Sequence, residues 1–450
     1  MTTLNQCADI LSAELLGGDD NVSFQSVSID SRSIKAGELF VAIKGENFDG
    51  HQFVQEAAKK GAVAAVLSKS VDVKIPQIIV EDTTQALGQL AQWHRQQFNV
   101  PVIAVTGSCG KTTTKAMLAS IFSGLGKTLS PLSSFNNNIG LPLTLLQLDD
   151  SYRTVVLELG ANHKGEIAEL VKIAQPHVTA VTMVAPVHLE GFGSVENIAA
   201  AKGEIFSGLD ADGIAVVNID DPLSTLWQPQ LAGKRVIRFG RQISAEVSAK
   251  DVQINAEGCA EFILVTPAGE IRIHLPVLGE HNITNALAAS ACAVACDVSL
   301  TAIKSGLETM SPVAKRMIRH QLPSGAVLID DTYNANPLAF KAALNVLKHT
   351  GMPTALVMGD MAELGADAEK IHREVGTWVH EAGIDQFFTL GKLSAHAAAA
   401  YGATAQHFTD PQALVAVLKP ILNEHKVMLV KGSRSMRMEN VVAALLDQQG

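Results

Sequence analysis

Short apolar runs recur along the whole chain, and most of them are separated by segments long enough for a helix. In the first part of the chain these runs lie at 24–29, 39–43, 63–67 and 78–80, with one helix-like segment at 51–60. Runs of this length and spacing predict a small α/β module. A longer helical pattern over 84–97 follows it.

A buried strand predicted over 102–106 opens a second and larger unit. Further strand-like runs lie at 154–157, 178–184 and 213–217, separated by helix-length segments. Strands that alternate with helices in this way predict crossover connections and a mainly parallel sheet. Between 245 and 275 the pattern changes to short alternating runs, which predict an antiparallel edge.

The last third of the chain begins near Pro312 and again alternates strands with helices. Its strand-like runs lie at 327–330, 355–358, 386–390 and 427–430. This pattern predicts a Rossmann-like unit. We therefore expect an α/β protein with a small N-terminal domain, a central domain with a mainly parallel sheet and a C-terminal Rossmann-like domain. The expected boundaries are 1–84, 85–312 and 313–450.

The composition excludes several classes of protein. With 47% hydrophobic and 18% charged residues in 450, the chain is too apolar to remain disordered. A net charge of -10 without a long basic run argues against nucleic-acid binding. Five scattered cysteines do not suggest a disulfide framework. The longest uncharged apolar stretch, 286–296, is far shorter than the ~20 residues of a membrane span. The N-terminus lacks the features of a secretory signal, so we expect a cytoplasmic protein without a membrane span.

A glycine-rich segment between a predicted strand and a predicted helix carries the strongest chemical signal. It reads Val105-Thr-Gly-Ser-Cys-Gly-Lys-Thr-Thr113. Gly107 and Gly110 let backbone N–H groups approach phosphate oxygens, Lys111 supplies a cation, and the Thr112 hydroxyl can bind magnesium. The usual P-loop spacing would place a glycine at the position of Val105, so the full pattern is not met. The strand-to-helix context nevertheless predicts a phosphate-binding loop.

Cys109 lies inside this loop, where Lys111 and the helix start would favour its thiolate form. A redox role would require a resolving cysteine, and none can be named. We therefore interpret Cys109 as a small loop residue.

Two further side chains follow predicted strands. Glu158 ends a strand, and His188 follows the next one. Ligands of open α/β sheets bind at the carboxyl ends of the strands, so both side chains are candidate magnesium ligands beside the phosphate loop. Lys202 begins a helical pattern, and taken alone it would be a solvent-exposed helix residue.

Seven segments together resemble the Mur ligase family, and the resemblance covers the whole chain. They are Asp30-Ser-Arg32, Leu39-Phe-Val-Ala-Ile43, Asp49-Gly-His51, Gly279-Glu-His-Asn-Ile-Thr-Asn285, Asp330-Asp-Thr-Tyr-Asn-Ala-Asn-Pro337, Met358-Gly-Asp-Met-Ala-Glu-Leu-Gly365 and Lys431-Gly-Ser-Arg434. The last three are most similar to the family branch that adds D-alanyl-D-alanine. The Asp-Asn-Pro-Arg motif of the branch that adds meso-diaminopimelate is not found.

The resemblance implies roles for particular residues, with ATP and Mg²⁺ as cofactors. Nucleotide binding is implied for Gly107, Ser108, Cys109, Gly110, Lys111, Thr112, Thr113, Asn282, Arg316 and Asp331. Within that set Asn282 would contact the adenine, and Arg316 and Asp331 the ribose and phosphates. Magnesium ligands would be Thr112, Glu158, His188 and Lys202, and the catalytic residues Lys111, Lys202 and His188. Ser31 and Arg32 would hold the UDP end of a substrate.

Lys202 matches a lysine that relatives carbamylate, which would overturn its interpretation as a surface residue. A carbamate is an oxygen ligand for magnesium, whereas an ammonium group repels the metal. The chain departs from the family where relatives tend to have an asparagine, because Met183 stands there.

The function implied by the resemblance is ATP-dependent amide ligation through an acyl phosphate. The expected substrates are two small molecules, UDP-N-acetylmuramoyl-tripeptide and D-alanyl-D-alanine, and we expect a monomer. One alternative is another ligase of the superfamily, such as a folylpolyglutamate synthetase or a different amino-acid-adding Mur enzyme. A second is a nucleotide-dependent switch or transport ATPase. A third is a non-catalytic UDP-sugar binding protein, which would not need the set of Lys111, Glu158 and His188. Neither an Asn-Lys-x-Asp guanine motif nor a Leu-Ser-Gly-Gly signature accompanies the loop, which disfavours the second alternative.

Overall fold

The fold was analysed in a computed structural model of the full chain. The structure describes residues 2–17, 22–45, 48–131, 135–187, 189–242, 244–422 and 426–447. Three large sheets follow one another along the chain, with two small sheets beside them. The three-domain α/β fold class is confirmed, while the boundaries at 84/85 and 312/313 stay predictions.

The N-terminal sheet has five strands in the order β2-β7-β6-β5-β4. Its region contains β1 (Thr2–Thr3), α1 (Leu4–Leu11), β2 (Glu14–Leu16), β3 (Ser23–Phe24), β4 (Val27–Ser28), β5 (Leu39–Val41), α2 (Val54–Lys59), β6 (Ala64–Leu67), β7 (Gln77–Ile79) and α3 (Thr83–Gln96). β1 and β3 form a separate two-stranded sheet. The predicted run at 24–29 is thus divided between two short strands, and the helix predicted at 51–60 begins as a 3₁₀ turn over Gly50–Phe53.

The central sheet is parallel throughout, with the strand order β13-β12-β11-β8-β10-β9. Its elements are β8 (Val102–Thr106), α4 (Lys111–Ser123), β9 (Thr128–Leu129), α5 (Gly140–Leu145), β10 (Thr154–Glu158), α6 (Glu166–Ala174), β11 (Val178–Val181), α7 (Leu189–Phe192), α8 (Val195–Gly203), β12 (Ile214–Asn218), α9 (Gln228–Leu231) and β13 (Arg235–Phe239). Because β8 pairs with both β10 and β11, the ends of these three strands lie side by side.

A three-stranded antiparallel sheet follows the central sheet. It consists of β14 (Ser248–Ile254), β15 (Cys259–Thr266) and β16 (Gly269–Leu278), and it leads into α10 (His281–Ala295) and α11 (Leu300–Thr309). The predicted antiparallel strands are therefore present, but as a sheet of their own and not as an edge of the parallel sheet. Buried residues of α10 share one apolar core with both sheets, which explains why this helix is apolar on nearly every side.

The C-terminal sheet has the order β17-β18-β22-β19-β20-β21, with β17 antiparallel to β18 and the other pairs parallel. Its elements are β17 (Ile318–Gln321), β18 (Val327–Asp331), α12 (Pro337–Lys348), β19 (Thr354–Gly359), α13 (Ala368–Glu381), β20 (Gln386–Leu390), α14 (Ser394–Tyr401), β21 (Gln406–Phe408), α15 (Pro411–Ile421), β22 (Val427–Lys431) and α16 (Glu439–Leu446). Helices cover both faces, as the two apolar cores of this domain show.

The structure bears on the expectations about disulfide bonds and membrane spans. All five cysteines are free thiols. Among the helices of the described residues, none combines the length and apolar character needed to cross a lipid bilayer.

Candidate active site

A cavity of about 1160 Å³ opens at the carboxyl ends of β8 and β10. The phosphate loop residues 108–113 form one wall, and Glu158, Asn282 and Asn285 lie along it. The C-terminal domain contributes the opposite wall with Asp331, Tyr333 and Lys431. The fold thus brings most of the predicted nucleotide and metal residues to one cavity between two domains.

The phosphate loop depends on two glycines that approach other groups closely. A Cβ at Gly107 would lie 2.0 Å from the Thr182 hydroxyl oxygen, and one at Gly110 would lie 2.2 Å from Asn285 Oδ1. Gly110 also has φ +84°, a left-handed conformation that favours glycine. It is the residue before α4, so the backbone N–H groups of the helix start face the cavity. Such an N-terminus suits a phosphate group.

Hydrogen bonds fix the phosphate loop to the segment that follows β11. The Thr182 hydroxyl donates to the Cys109 carbonyl at 2.6 Å. The Ser108 amide donates to the Met183 carbonyl at 2.8 Å, and the Ser108 hydroxyl to the Ala185 carbonyl at 3.0 Å. The Met183 backbone carbonyl makes this bond, so the bond does not depend on the side chain at position 183.

The Lys111 ammonium group lies over the loop itself. It donates to the Gly107 carbonyl at 2.7 Å and to the Ser108 carbonyl at 3.4 Å. Carbonyl oxygens offer only partial negative charge, so phosphate oxygens that enter the loop would be stronger partners for this cation.

Glu158 has the environment of a metal ligand. Its side chain is 3% exposed, and Oε1 accepts a hydrogen bond from Asn136 Nδ2 at 2.9 Å. Oε2 is buried and has no hydrogen-bond partner within the described residues. A buried carboxylate oxygen without a partner is costly unless a cation completes its coordination. Glu158 therefore fits a hard divalent cation such as Mg²⁺.

Lys202 is buried, with a relative exposure of 2%, so the interpretation as a surface residue is wrong. Its Nζ lies 5.4 Å from the centre of the Phe192 ring. The pKa of Lys202 is lowered to about 7, chiefly by burial and also by the positive charge of Lys111, while Glu166 and Glu204 act in the opposite direction. A buried amine of this kind is often neutral near pH 7 and can react as a nucleophile.

Arg316 reaches the phosphate loop from the segment between α11 and β17. Its Nη2 donates to the Thr112 hydroxyl at 3.1 Å, and its guanidinium lies 4.2 Å from the centre of the Tyr333 ring. Both neighbours of Arg316 are strained, since Lys315 has φ +61° and Met317 has φ +53°. Such strain in residues other than glycine persists where the surrounding structure requires it.

Asp331 ends β18 and is paired with Lys431, which ends β22. The Lys431 Nζ lies 2.6 Å from Asp331 Oδ2 and also donates to the Asn334 carbonyl at 2.9 Å. Both side chains are almost completely buried. The ion pair therefore fixes the Asp331 carboxylate at the cavity wall.

Of the remaining candidates, the structure describes Ser31 and Arg32 in the N-terminal domain. Ser31 is buried and donates to Glu56, whereas the Arg32 side chain is exposed and paired with Asp30 at 2.8 Å. Neither is among the residues that line the cavity. His188 lies outside the described residues.

Several residues at the site had no role in the sequence-based interpretation. They are Asn136, Thr182, Asn285, Tyr333, Asn336 and Lys431. The Asn336 amide contacts the Cys109 sulfur at 3.4 Å, which connects the C-terminal domain to the phosphate loop. The motifs that include Asn285, Asn336 and Lys431 were recognised, but nothing in their local pattern indicates these contacts.

Comparison with known proteins gives matches along most of the chain. Family models match at residues 23–95 (Mur ligase family, catalytic domain), 105–293 (Mur ligase middle domain) and 315–434 (Mur ligase, glutamate ligase domain). The UDP-N-acetylmuramoyl-tripeptide--D-alanyl-D-alanine ligase of Escherichia coli is 45% identical over 98% of both chains. A crystal structure of MurF from Acinetobacter baumannii matches with a TM-score of 0.93 and 34% identity over 99% of both chains. MurF ligase from Thermotoga maritima in complex with ADP matches with a TM-score of 0.85 and 27% identity, over 96% of this chain and 99% of that one.

Proposed function

The chain belongs to the Mur ligase family, and we propose that it is the ATP-dependent ligase that joins D-alanyl-D-alanine to UDP-N-acetylmuramoyl-tripeptide in peptidoglycan precursor synthesis. The products besides the pentapeptide are ADP and phosphate. Similarity to enzymes of that name over the full length supports the choice of substrates. The observation that supports the chemistry is the Glu158 Oε2 atom beside the phosphate loop, which is buried and has no hydrogen-bond partner in the part of the chain that the structure describes.

Phosphorylation makes the tripeptide carboxylate reactive. A carboxylate is a poor acyl donor because its charge resists attack and oxide does not leave. Transfer of the ATP γ-phosphoryl group forms a C–O–P bond and releases ADP. The amine of the dipeptide then attacks the acyl phosphate carbonyl, the amide bond forms, the amine loses a proton and phosphate departs. Phosphoryl transfer requires mainly positioning and charge stabilisation from the protein.

The proposed roles of Lys111, Thr112, Glu158, Arg316 and Asp331 are supported by their positions at the cavity, and that of His188 by the sequence and the resemblance alone. Lys111 can exchange its loop carbonyls for phosphate oxygens and offset the charge of the transferring group. Thr112, Glu158 and His188 would hold Mg²⁺, which would draw negative charge from the phosphate oxygens. Asp331 and Arg316 would contact the ribose and phosphates from the C-terminal side.

Lys202 would act as a carbamate. Its burial and lowered pKa favour the neutral amine that reacts with carbon dioxide. The carbamate would place negatively charged oxygen atoms near the magnesium and near the Lys111 ammonium group. This modification would replace an unfavourable buried cation with an oxygen ligand.

The remaining assignments concern the other domains. Ser31 and Arg32 would hold the UDP end of the precursor, and the C-terminal domain would bind the dipeptide. We also propose that the protein works as a cytoplasmic monomer on small-molecule substrates.

Mass spectrometry of the reaction tests the proposal directly. The protein is incubated with ATP, Mg²⁺, UDP-N-acetylmuramoyl-tripeptide and D-alanyl-D-alanine, and the expected result is the pentapeptide in equal amount with ADP. Single amino acids serve as competing amine acceptors, and folate with glutamate serves as a competing pair of carboxylate donor and amine acceptor. Product from one of these alone would identify another ligase of the superfamily. ADP and phosphate without any ligated product would identify a switch or transport ATPase.

A further inference from the structure

His372 is a buried histidine of α13 whose two ring nitrogens both have partners. Its side chain is 0% exposed. Nδ1 lies 2.7 Å from the carbonyl oxygen of Ala368, which is one helical turn earlier, and Nε2 lies 3.0 Å from the backbone nitrogen of Met361. The ring thus connects α13 with the segment that follows β19. It is not among the residues that line the cavity.

The two partners of His372 determine which ring nitrogen carries the proton. A carbonyl oxygen can only accept, so Nδ1 must donate to Ala368, and the Met361 N–H can only donate, so Nε2 must accept. The ring is therefore neutral. The pKa of His372 is lowered, chiefly by burial and also by His396, while the Ala368 bond and Asp360 act in the opposite direction. The neutral form consequently predominates at pH 7.

The segment that His372 holds, residues 361–364, forms part of the cavity wall. Ala362, Glu363 and Leu364 line the cavity, whereas Met361 is completely buried. Glu363 has φ +62°, a left-handed conformation that is uncommon for residues other than glycine and persists where the surrounding structure requires it. The bond from Met361 to His372 therefore helps to fix the turn that presents Glu363 to the cavity.

Asp360, directly before this segment, connects it to the rest of the wall. Its carboxylate accepts from the backbone N–H groups of residues 392–394, at 2.7 to 3.1 Å. Its carbonyl accepts from the Ser433 N–H at 3.0 Å. Ser433 and Arg434 also line the cavity. The Glu363 carboxylate and the Arg434 guanidinium thus belong to the same wall, across the cavity from the phosphate loop.

A dipeptide with free ends carries an ammonium group and a carboxylate at pH 7, and the ammonium group is bound best by a carboxylate. Among the cavity-lining residues of the C-terminal domain, Asp331 and Glu363 are the carboxylates, and Asp331 is paired with Lys431. We propose that His372 is a positioning residue for the amine substrate, which holds the 361–364 segment so that Glu363 receives the dipeptide ammonium group. This inference rests on the proposed binding of D-alanyl-D-alanine by the C-terminal domain.

Two amide substitutions separate the functions of the two ring nitrogens. The side-chain oxygen of His372→Gln reaches the position of Nε2 and can accept from Met361, whereas the shorter His372→Asn replaces only the Nδ1 donor. His372→Asn should raise the KM for D-alanyl-D-alanine at least about fivefold, because the buried Met361 N–H loses its acceptor. His372→Gln should keep that KM within about twofold of the wild type, and the KM for ATP should change less than about twofold in both variants.

His349→Asn is the matched control for these variants. Nδ1 of His349 lies 2.7 Å from the carbonyl oxygen of Asn345, also four residues earlier, but His349 is exposed at the end of α12. The control should keep both KM values. Equal increases of the two KM values in His372→Asn would indicate general destabilisation and overturn the inference. A KM for the dipeptide that is unchanged in His372→Asn, or raised equally in His372→Gln, would also overturn it.

Hydrogen exchange of the ligand-free protein tests the positioning without any ligation. The amides of residues 361–364 should exchange at least about tenfold faster in His372→Asn than in the wild type or His372→Gln. Equal exchange in all three proteins would overturn the inference. Failure of the wild type to form pentapeptide would refute the proposed function and leave this measurement valid.

Glu363→Gln keeps the inference testable if His372→Asn does not fold, because Glu363 is exposed. It should raise the KM for the dipeptide at least about fivefold and leave the KM for ATP unchanged, since a charged partner is lost. An unchanged KM for the dipeptide in Glu363→Gln would overturn the inference.

Discussion

Lys202 is the residue whose burial most directly determines its chemistry. Its pKa is lowered to about 7 by burial, so the neutral amine predominates above pH 7 and the ammonium below it. We therefore expect carbamate formation to increase as pH rises through about 7, and not near the usual pKa of about 10.4. Carbon-13 NMR with labelled bicarbonate would measure the carbamate signal, and Lys202→Ala would show that it belongs to this residue. A midpoint near pH 10 would contradict the expected pKa.

Replacement of Lys202 tests the functional role of the modification. Lys202→Ala should reduce ligation at least about 100-fold, because one oxygen ligand of the magnesium is lost. Short carboxylates such as acetate or propionate should restore part of the activity by entering the space left by the side chain. Full activity in Lys202→Ala, measured by phosphate release, would refute the carbamate hypothesis.

Oε2 of Glu158, which lacks a hydrogen-bond partner among the described residues, gives a prediction about the metal. Glu158→Gln keeps the shape of the side chain and the possibility of a bond to Asn136, but it removes the charge. The Mg²⁺ concentration for half-maximal activity should rise about 10- to 100-fold. Glu381→Gln, at the exposed end of α13, is the control and should have no effect. An unchanged Mg²⁺ dependence in Glu158→Gln would show that the metal binds elsewhere.

At the scale of elements, the phosphate loop requires space as well as a left-handed glycine. Gly110→Ala combines a strained φ of +84° with a contact of 2.2 Å to Asn285, whereas Gly233→Ala combines a φ of +76° with no atom within 4 Å. Both variants should lose about 1–2 kcal/mol of unfolding free energy from backbone strain. Only Gly110→Ala should also weaken ADP binding, by at least about 10-fold, since the Asn285 side chain and the loop cannot both keep their positions.

Thermal unfolding and calorimetric ADP titration of the two glycine variants separate these effects. If Gly233→Ala lost as much nucleotide affinity as Gly110→Ala, global destabilisation and not the contact with α10 would be responsible.

Helix α10 shows which features of a helix the local sequence pattern predicts. Its apolar residues predict burial, and most of them are indeed buried. Its two asparagines interrupt that pattern, and a local interpretation cannot say whether they are tolerated or required. Asn282 donates to the Leu278 carbonyl and accepts from Asn285, so both side chains have specific positions in the fold.

At the scale of the whole molecule, the cavity has walls from two domains. Its volume of about 1160 Å³ would leave water near an acyl phosphate unless the domains close over the substrates. We expect small-angle scattering to show a smaller radius of gyration with an ATP analogue, UDP-tripeptide and dipeptide bound. Lys111→Ala with the same ligands is the control and should keep the radius of gyration of the ligand-free protein. An unchanged radius in the wild type would contradict closure as a step of turnover.

Contacts between the domains already exist around the phosphate loop. Arg316 reaches Thr112 across 204 residues of chain, and Asn336 reaches Cys109 across 227. Each bond places a residue of the C-terminal third against a loop of the central domain. These contacts offer a route by which nucleotide binding affects the position of the C-terminal domain.

The sequence alone determined the features that depend on neighbouring residues. The alternation of apolar runs and helices predicted three α/β units, and the strand, glycines and Lys111 predicted a phosphate loop, because these patterns lie within a few residues. Glu158 could be placed at the end of a strand for the same reason. Resemblance to a family added roles for Lys202, Asn282, Arg316 and Asp331.

Only the tertiary structure decided which distant residues meet. The bond of Arg316 to Thr112 and that of Asn336 to Cys109 join segments that are far apart in the chain, and the burial of Lys202 depends on segments that pack over it. Such contacts result from the strand order and from the packing of α10 between sheets, and packing depends on the complete set of side chains. A local pattern carries no information about that set, so it cannot specify these partners.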